Sequence, residues 1–99
     1  MAKLTGAQRK WLRGQAHSLR PLVRLGKQGL TEGVVREIDA VLDSHELVKV
    51  QGHDKTENRE LTERLETELG AEVVGLIGHV LILFREQEDP ELRRFELPD

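Results

Sequence analysis

Apolar residues in the first twenty positions recur at helical spacing. Leu4, Ala7, Trp11, Leu12, Ala16 and Leu19 fall on one side of a helical wheel, with Gln15 as the polar exception, while Arg9, Lys10, Arg13 and His17 gather on the other. Thr5 is placed to cap this helix, which is predicted to run to about Ser18. Pro21 ends it and pushes Arg20 towards an extended conformation. Leu22-Val23-Arg24-Leu25 then reads as a short strand that feeds a glycine-containing turn.

Beyond that turn, Val34, Val35, Ile38, Val41 and Leu42 form an apolar stripe with a 3.6-residue period. Thr31 caps this second helix, Leu30 and Val35 have hydrophobic-staple spacing, and the helix is predicted to reach about Ser44. Leu47 to Val50 is a second strand. Asp54 and Glu57 have capping-box spacing before a third helix, on which Leu61, Leu65 and Leu69 stack at i+4 steps until Gly70. Two further strands, about Glu72 to Leu76 and Val80 to Arg85, are joined by a tight turn through Gly78 and His79. The last dozen residues, rich in Glu and Asp and holding Pro90 and Pro98, read as a tail with limited structure.

The element order α-β-α-β-α-β-β predicts an α/β chain of the two-layer α+β kind, with a four-stranded mixed sheet. Helices would cover at least one of its faces. The strand–helix–strand passage is long enough for a parallel βαβ unit. Residues 1–86 form one domain in this reading and 87–99 an acidic tail.

Composition narrows the function. The chain has 99 residues and no cysteine, which excludes disulfides, Cys-ligated zinc and thiol catalysis. The basic, polar N-terminus and the lack of a membrane-length apolar run lead to the expectation of a cytoplasmic protein with no membrane partner. Net charge is −3, but its distribution is uneven. Residues 1–36 carry eight bases and one acid, a balance of +7; the rest carries seven bases and 17 acids, a balance of −10. Such asymmetry marks an electrostatic binding surface, unless the two halves simply attract each other.

The basic half surrounds Gly26-Lys27-Gln28-Gly29. Two glycines flanking a basic and a polar residue at a strand-to-helix turn let a phosphate approach the main chain, and either glycine can take a positive φ. The following helix aims its N–H groups and positive dipole end at the same place. RNA modules of the KH type use a GxxG loop in this way, although two glycines at this spacing also occur in plain turns. Lys27 would offer a point charge to phosphate, and Gln28 a donor to phosphate or a sugar hydroxyl. The stripe of Arg9, Lys10 and Arg13 is either a solvated face or an RNA contact, with His17 at its end. Arg24 either flanks the loop or lines an exposed sheet face.

With these motifs placed, the chain resembles a CRM domain (chloroplast RNA splicing and ribosome maturation), in its bacterial stand-alone, YhbY-type form. The resemblance runs from about Thr5 to Arg85. It rests on Leu12-Arg13-Gly14 with Ala16-His17, Leu19-Arg20-Pro21, Gly26-Lys27-Gln28-Gly29-Leu30-Thr31-Glu32-Gly33-Val34, Glu46-Leu47-Val48-Lys49-Val50, Ile77-Gly78 and Leu83-Phe84-Arg85. It implies an RNA-binding module related in fold to the C-terminal domain of translation initiation factor three. Stand-alone members of the family associate with precursors of the large ribosomal subunit. Relatives usually carry Tyr at the position of Phe84, and the negative net charge here favours a confined, sided contact.

Other chemistry is poorly supplied. Trp11 lies among apolar helix neighbours and reads as core, and with three aromatic residues in all, contacts to phosphate and sugar should outweigh base stacking. His17, His45, His53 and His79 lack metal-ligand spacing. No GxSxG, Walker or HExxH pattern is present, so neither enzyme activity, a cofactor nor a small-molecule substrate is expected. The expected function is non-catalytic binding of ribosomal RNA during assembly of the large subunit. The alternative is an adaptor whose acidic third helix and tail bind a basic ribosomal protein.

Overall fold

The computed structural model describes residues 3–53 and 58–99. Helix α1 spans Gly6–Ala16, strand β1 Pro21–Arg24, helix α2 Glu32–His45, strand β2 Leu47–Gln51, helix α3 Asn58–Leu69, strand β3 Glu72–Ile77 and strand β4 Val80–Phe84. A single 3-10 turn, Pro90–Leu92, follows. The capping box predicted at Asp54 and Glu57 lies outside the described residues.

Local chemistry accounts for the helix ends. The Thr5 hydroxyl accepts from the Gln8 amide at 3.1 Å, while the Gln8 side chain accepts from the Thr5 amide at 3.0 Å, a reciprocal box that fixes the start of α1. The Thr31 hydroxyl accepts from the Val34 amide at 3.3 Å, and buried Leu30 packs in the same cluster as Val35, as the staple predicts. Gly70 ends α3 at φ 65, donating to the Glu66 carbonyl at 3.1 Å.

The sheet has the order β1-β2-β4-β3. β1 and β2 are parallel, linked through α2 in the expected βαβ unit, and the other pairs are antiparallel. Consequently the turn after β1, the turn after β2 and the β3–β4 hairpin meet at one end of the sheet. The Leu25 amide donates to the Gln51 carbonyl at 2.8 Å, and the Gly52 amide to the His79 carbonyl at 2.6 Å.

Helices cover both faces, so the predicted two layers become three. On one face, Ile38 and Leu42 of α2 and Leu61 and Leu65 of α3 pack against Val23, Val48, Val50, Leu81 and Leu83. On the other, Leu12 and Ala16 of α1 pack against Leu47, Val74, Ile82 and Phe84. The reason is legible in β4. Leu81 to Phe84 are buried without alternation, and a strand apolar on both sides needs a cover on both sides.

Residues 87–99 also depart from the expected loose tail. Phe95 meets Trp11 and Phe84 edge-on, at ring-centroid separations of 6.3 and 6.2 Å, and Leu97 joins the same cluster. The Gln8 side-chain amide donates to the Pro98 carbonyl at 2.9 Å. Glu46 secures the start of the segment. Its side chain is buried, and its carboxylate accepts from the Gln87 amide at 2.7 Å and from the Arg94 amide. Trp11 is therefore a partly buried packing residue at the edge of this core, where its neighbours in sequence predicted a core position.

Candidate nucleic-acid interface

The glycine turn is built as a tight, outward-facing projection. The Gly29 amide donates to the Gly26 carbonyl at 2.9 Å, closing a four-residue turn with Lys27 and Gln28 at its tip. Gly29 takes φ 68, a conformation that costs a side chain about 1–2 kcal/mol, so glycine is favoured there. Gly26 has no positive φ, and no atom lies where its side chain would go. Its lack of a Cβ serves nothing inside the described structure and leaves the main chain open to approach from outside. Lys27 and Gln28 are exposed and make no hydrogen bond or ion pair among the described residues. Two residues beyond Gly29, Thr31 caps α2, which directs its first amides and positive dipole end towards the turn.

Arg24 sits on the strand that enters the turn. Val23 and Leu25 are buried in the α2–α3 cluster, so Arg24 points to the opposite face and is exposed. It thus lines the sheet face, one of the two positions left open by the sequence. The four residues of β1 carry the chain about 13 Å, from the end of α1 towards the turn.

The stripe on α1 is divided. Lys10, Arg13 and His17 are exposed and Arg9 is half-buried, but Arg9 and Arg13 both reach β3. Arg9 forms an ion pair with Glu72 and donates to the Val73 carbonyl at 2.7 Å. Arg13 donates to the Val74 carbonyl at 2.9 Å. Wheel geometry explains the split. Leu12 and Ala16 are the fully buried residues of α1, which rotates the buried arc towards Arg9 and Arg13 and leaves Ala7 exposed. Gly75 makes this docking possible, because a Cβ there would stand 2.8 Å from Arg13 Cδ. An isolated glycine within a strand is the signal that would have revealed it.

Arg64 is a neighbour of the turn that sequence reasoning missed. A groove of about 180 Å³ separates the turn from α3, lined by Gln28, Gly29, Leu30, Glu60, Leu61 and Arg64. Arg64 pairs with Glu68 one helical turn on, at 2.9 Å, with both side chains substantially exposed. Helix α3 reads as acidic along the chain, and only its packing beside α2 brings this cation to the turn. Among the described residues, no three His, Cys, Asp or Glu side chains are grouped to hold a metal ion. Among the same residues, no helix is long and apolar enough to cross a membrane.

Comparison with known proteins bears on this arrangement. The CRS1/YhbY (CRM) domain profile matches residues 4–85. A Haemophilus influenzae protein named as an RNA-binding protein is 40% identical over 95 residues, covering 94% of this chain and 96% of its own. The Bacillus subtilis protein YqeI, named as a probable RNA-binding protein, is 33% identical over 98 residues, covering 96% and 99%. The solution structure of a Staphylococcus aureus protein, described as a candidate RNA-binding protein, superposes with a TM-score of 0.83 at 34% identity, covering 97% of this chain and all of that one. The fold and the extent of the match agree: the chain belongs to the CRS1/YhbY (CRM) domain family.

Proposed function

We propose that this protein is a non-catalytic RNA-binding protein that grips ribosomal RNA in large-subunit precursors, in the cytoplasm, through the Gly26–Gly29 turn. The carrying observation is the turn itself. Lys27 and Gln28 stand at its tip with no partner among the described residues, between a glycine with no internal reason to be one and the start of α2. Relatives at 33–40% identity over nearly the whole chain carry RNA-binding names, which supports the same reading.

In this arrangement Lys27 and Gln28 meet phosphate and sugar, and the α2 N-terminus adds its dipole. Lys10, Arg13 and Arg24 extend the basic surface along α1 and the sheet, while Arg9 chiefly holds α1 in place through Glu72. Contacts to about four to six phosphates would give a slope of log K against log salt of about −3 to −5. Measuring that slope with a structured ribosomal RNA fragment tests the reading, and a flat response contradicts it. Sedimentation of a cell lysate tests the ribosomal part: the protein is expected to travel with large-subunit precursors.

A second reading is supported by the opposite end of the molecule. A cleft of about 650 Å³ is lined there by Asp39, Asp43, Glu86 and Glu88 together with Arg85 and Arg93. An adaptor role would seat a basic ribosomal protein against these acids and the acidic side of α3. Crosslinking within native particles separates the two readings by showing whether each end traps RNA or protein.

A further inference from the structure

Among the described residues, the sheet face on which α1 lies is covered over only part of its length. Helix α1 and the C-terminal segment pack on Leu47, Val74, Ile82 and Phe84, towards the start of β2. Nearer the glycine turn, the strand register aligns Arg24, Gln51, Val80 and Ile77 in a single row across all four strands. Val50 and Leu81 point into the α2–α3 cluster, so Gln51 and Val80, next to them in sequence, point to the α1 face. Ile77 is 66% exposed, and Leu22, preceding buried Val23 on β1, is 48% exposed. Exposed aliphatic side chains on one sheet face, beside the exposed Arg24, mark an interaction surface.

We propose that this open part of the sheet is a platform for unstacked RNA bases, continuing the contact made by the backbone at the glycine turn. The inference rests on the reading that the turn grips RNA, and it names the RNA class: unpaired or loop nucleotides. Strands spaced about 4.8 Å apart make the four-residue row about 14 Å long, wider than one base. Bases in a duplex hide their faces in the stack, whereas unpaired ones offer them to a side chain. Leu22, Val80 and Ile77 supply apolar area, and Gln51 an amide able to pair with a base edge. Arg24 at the end of the row lies on the strand that enters the turn, and Lys49 is within the same half, its ammonium 3.0 Å from the Leu19 carbonyl. This positive border fits a phosphate backbone and disfavours a basic protein segment.

The two parts of the surface obey different physics, which makes them separable. Binding at the turn is ionic and weakens with salt, while binding on the platform buries apolar area and changes little with salt. The test measures the affinity of the full chain for an unpaired RNA loop and for a fully paired duplex of equal length. The L22T/I77T double variant places β-branched, strand-compatible threonines at two exposed strand positions, and its melting midpoint serves as the control for folding. It is expected to bind the unpaired RNA about 10- to 30-fold more weakly, with the salt slope and duplex affinity unchanged. Unaltered affinity for the unpaired RNA, or an equal loss for both RNAs, overturns the platform while leaving the turn's role intact. A loss seen only with ribosomal particles, and not with naked RNA, makes the face a protein contact and also overturns it. A wild-type chain that binds neither RNA contradicts the reading of the turn itself.

Discussion

At one end of the sheet, Arg85 donates to Asp39 Oδ1 at 2.7 Å, to the Asp39 and Leu69 carbonyls at 3.0 Å, and to Asp43 Oδ1 at 2.9 Å. Close to it, buried Glu46 accepts from two amides of the C-terminal segment. At the other end, Lys27 and Gln28 stand on a turn with no partner among the described residues. The same residue chemistry thus does different work at the two ends. Where charge is internally satisfied it fixes α2, α3, β4 and the tail to one another. Where it is left open, it costs the fold little and is available to a ligand. Formal charge along the chain does not distinguish these cases, but the hydrogen-bond partners do.

The comparison is broken most severely at Glu46. Replacing it with Ala strands the Gln87 and Arg94 amides, and the expected loss is about 2–4 kcal/mol, a fall of more than about 10 °C in the melting midpoint. RNA affinity of the folded protein should not change. Glu46 also holds φ 63, unusual for a residue other than glycine. Glu46→Gly removes the same acceptor but relieves the backbone, so it should remain about 1 kcal/mol more stable than Glu46→Ala in the same denaturation series.

Reversing the open end should do the opposite. The K27D/Q28D variant is expected to lose about 30-fold in RNA affinity at 0.1 M salt, about 2 kcal/mol, with stability within about 0.5 kcal/mol of the parent. Filter binding and thermal melting on the same preparation check both halves of that statement. Gly75→Ala is expected to cost about 1–2 kcal/mol by pushing Arg13 off β3, read as a lower melting midpoint. The smallest effect belongs to Arg64→Ala. Its exposed pair with Glu68 adds at most about 0.5 kcal/mol of stability, whereas its place beside the turn predicts about a threefold loss of RNA affinity.

Much of this contrast was legible before the fold, but unevenly. Periodicity located the helices and strands because each has a strong local pattern: Val34 to Leu42 for α2, and Leu61, Leu65 and Leu69 for α3. The Gly26–Gly29 turn was legible because its signal lies within four consecutive residues. What escaped depends on contacts between distant segments. Arg9 and Arg13 look like free cations on a wheel until Glu72 and Gly75, over sixty residues away, are placed beneath them. Phe95 looks like part of a tail until Trp11 and Phe84 meet it. Glu46 carries no local mark of burial, since both amides it accepts from lie some forty residues on or more. The third layer was recoverable from the unbroken apolar run of β4.

The most direct test of the contrast is to titrate the isotopically labelled protein with an unpaired ribosomal RNA loop and follow each backbone amide by NMR. The account predicts that the largest shifts cluster at Gly26–Glu32 and on β1, with little change at Asp39, Asp43, Arg85 and Gln87. Shifts concentrated at that second group, with the glycine turn unmoved, would contradict it.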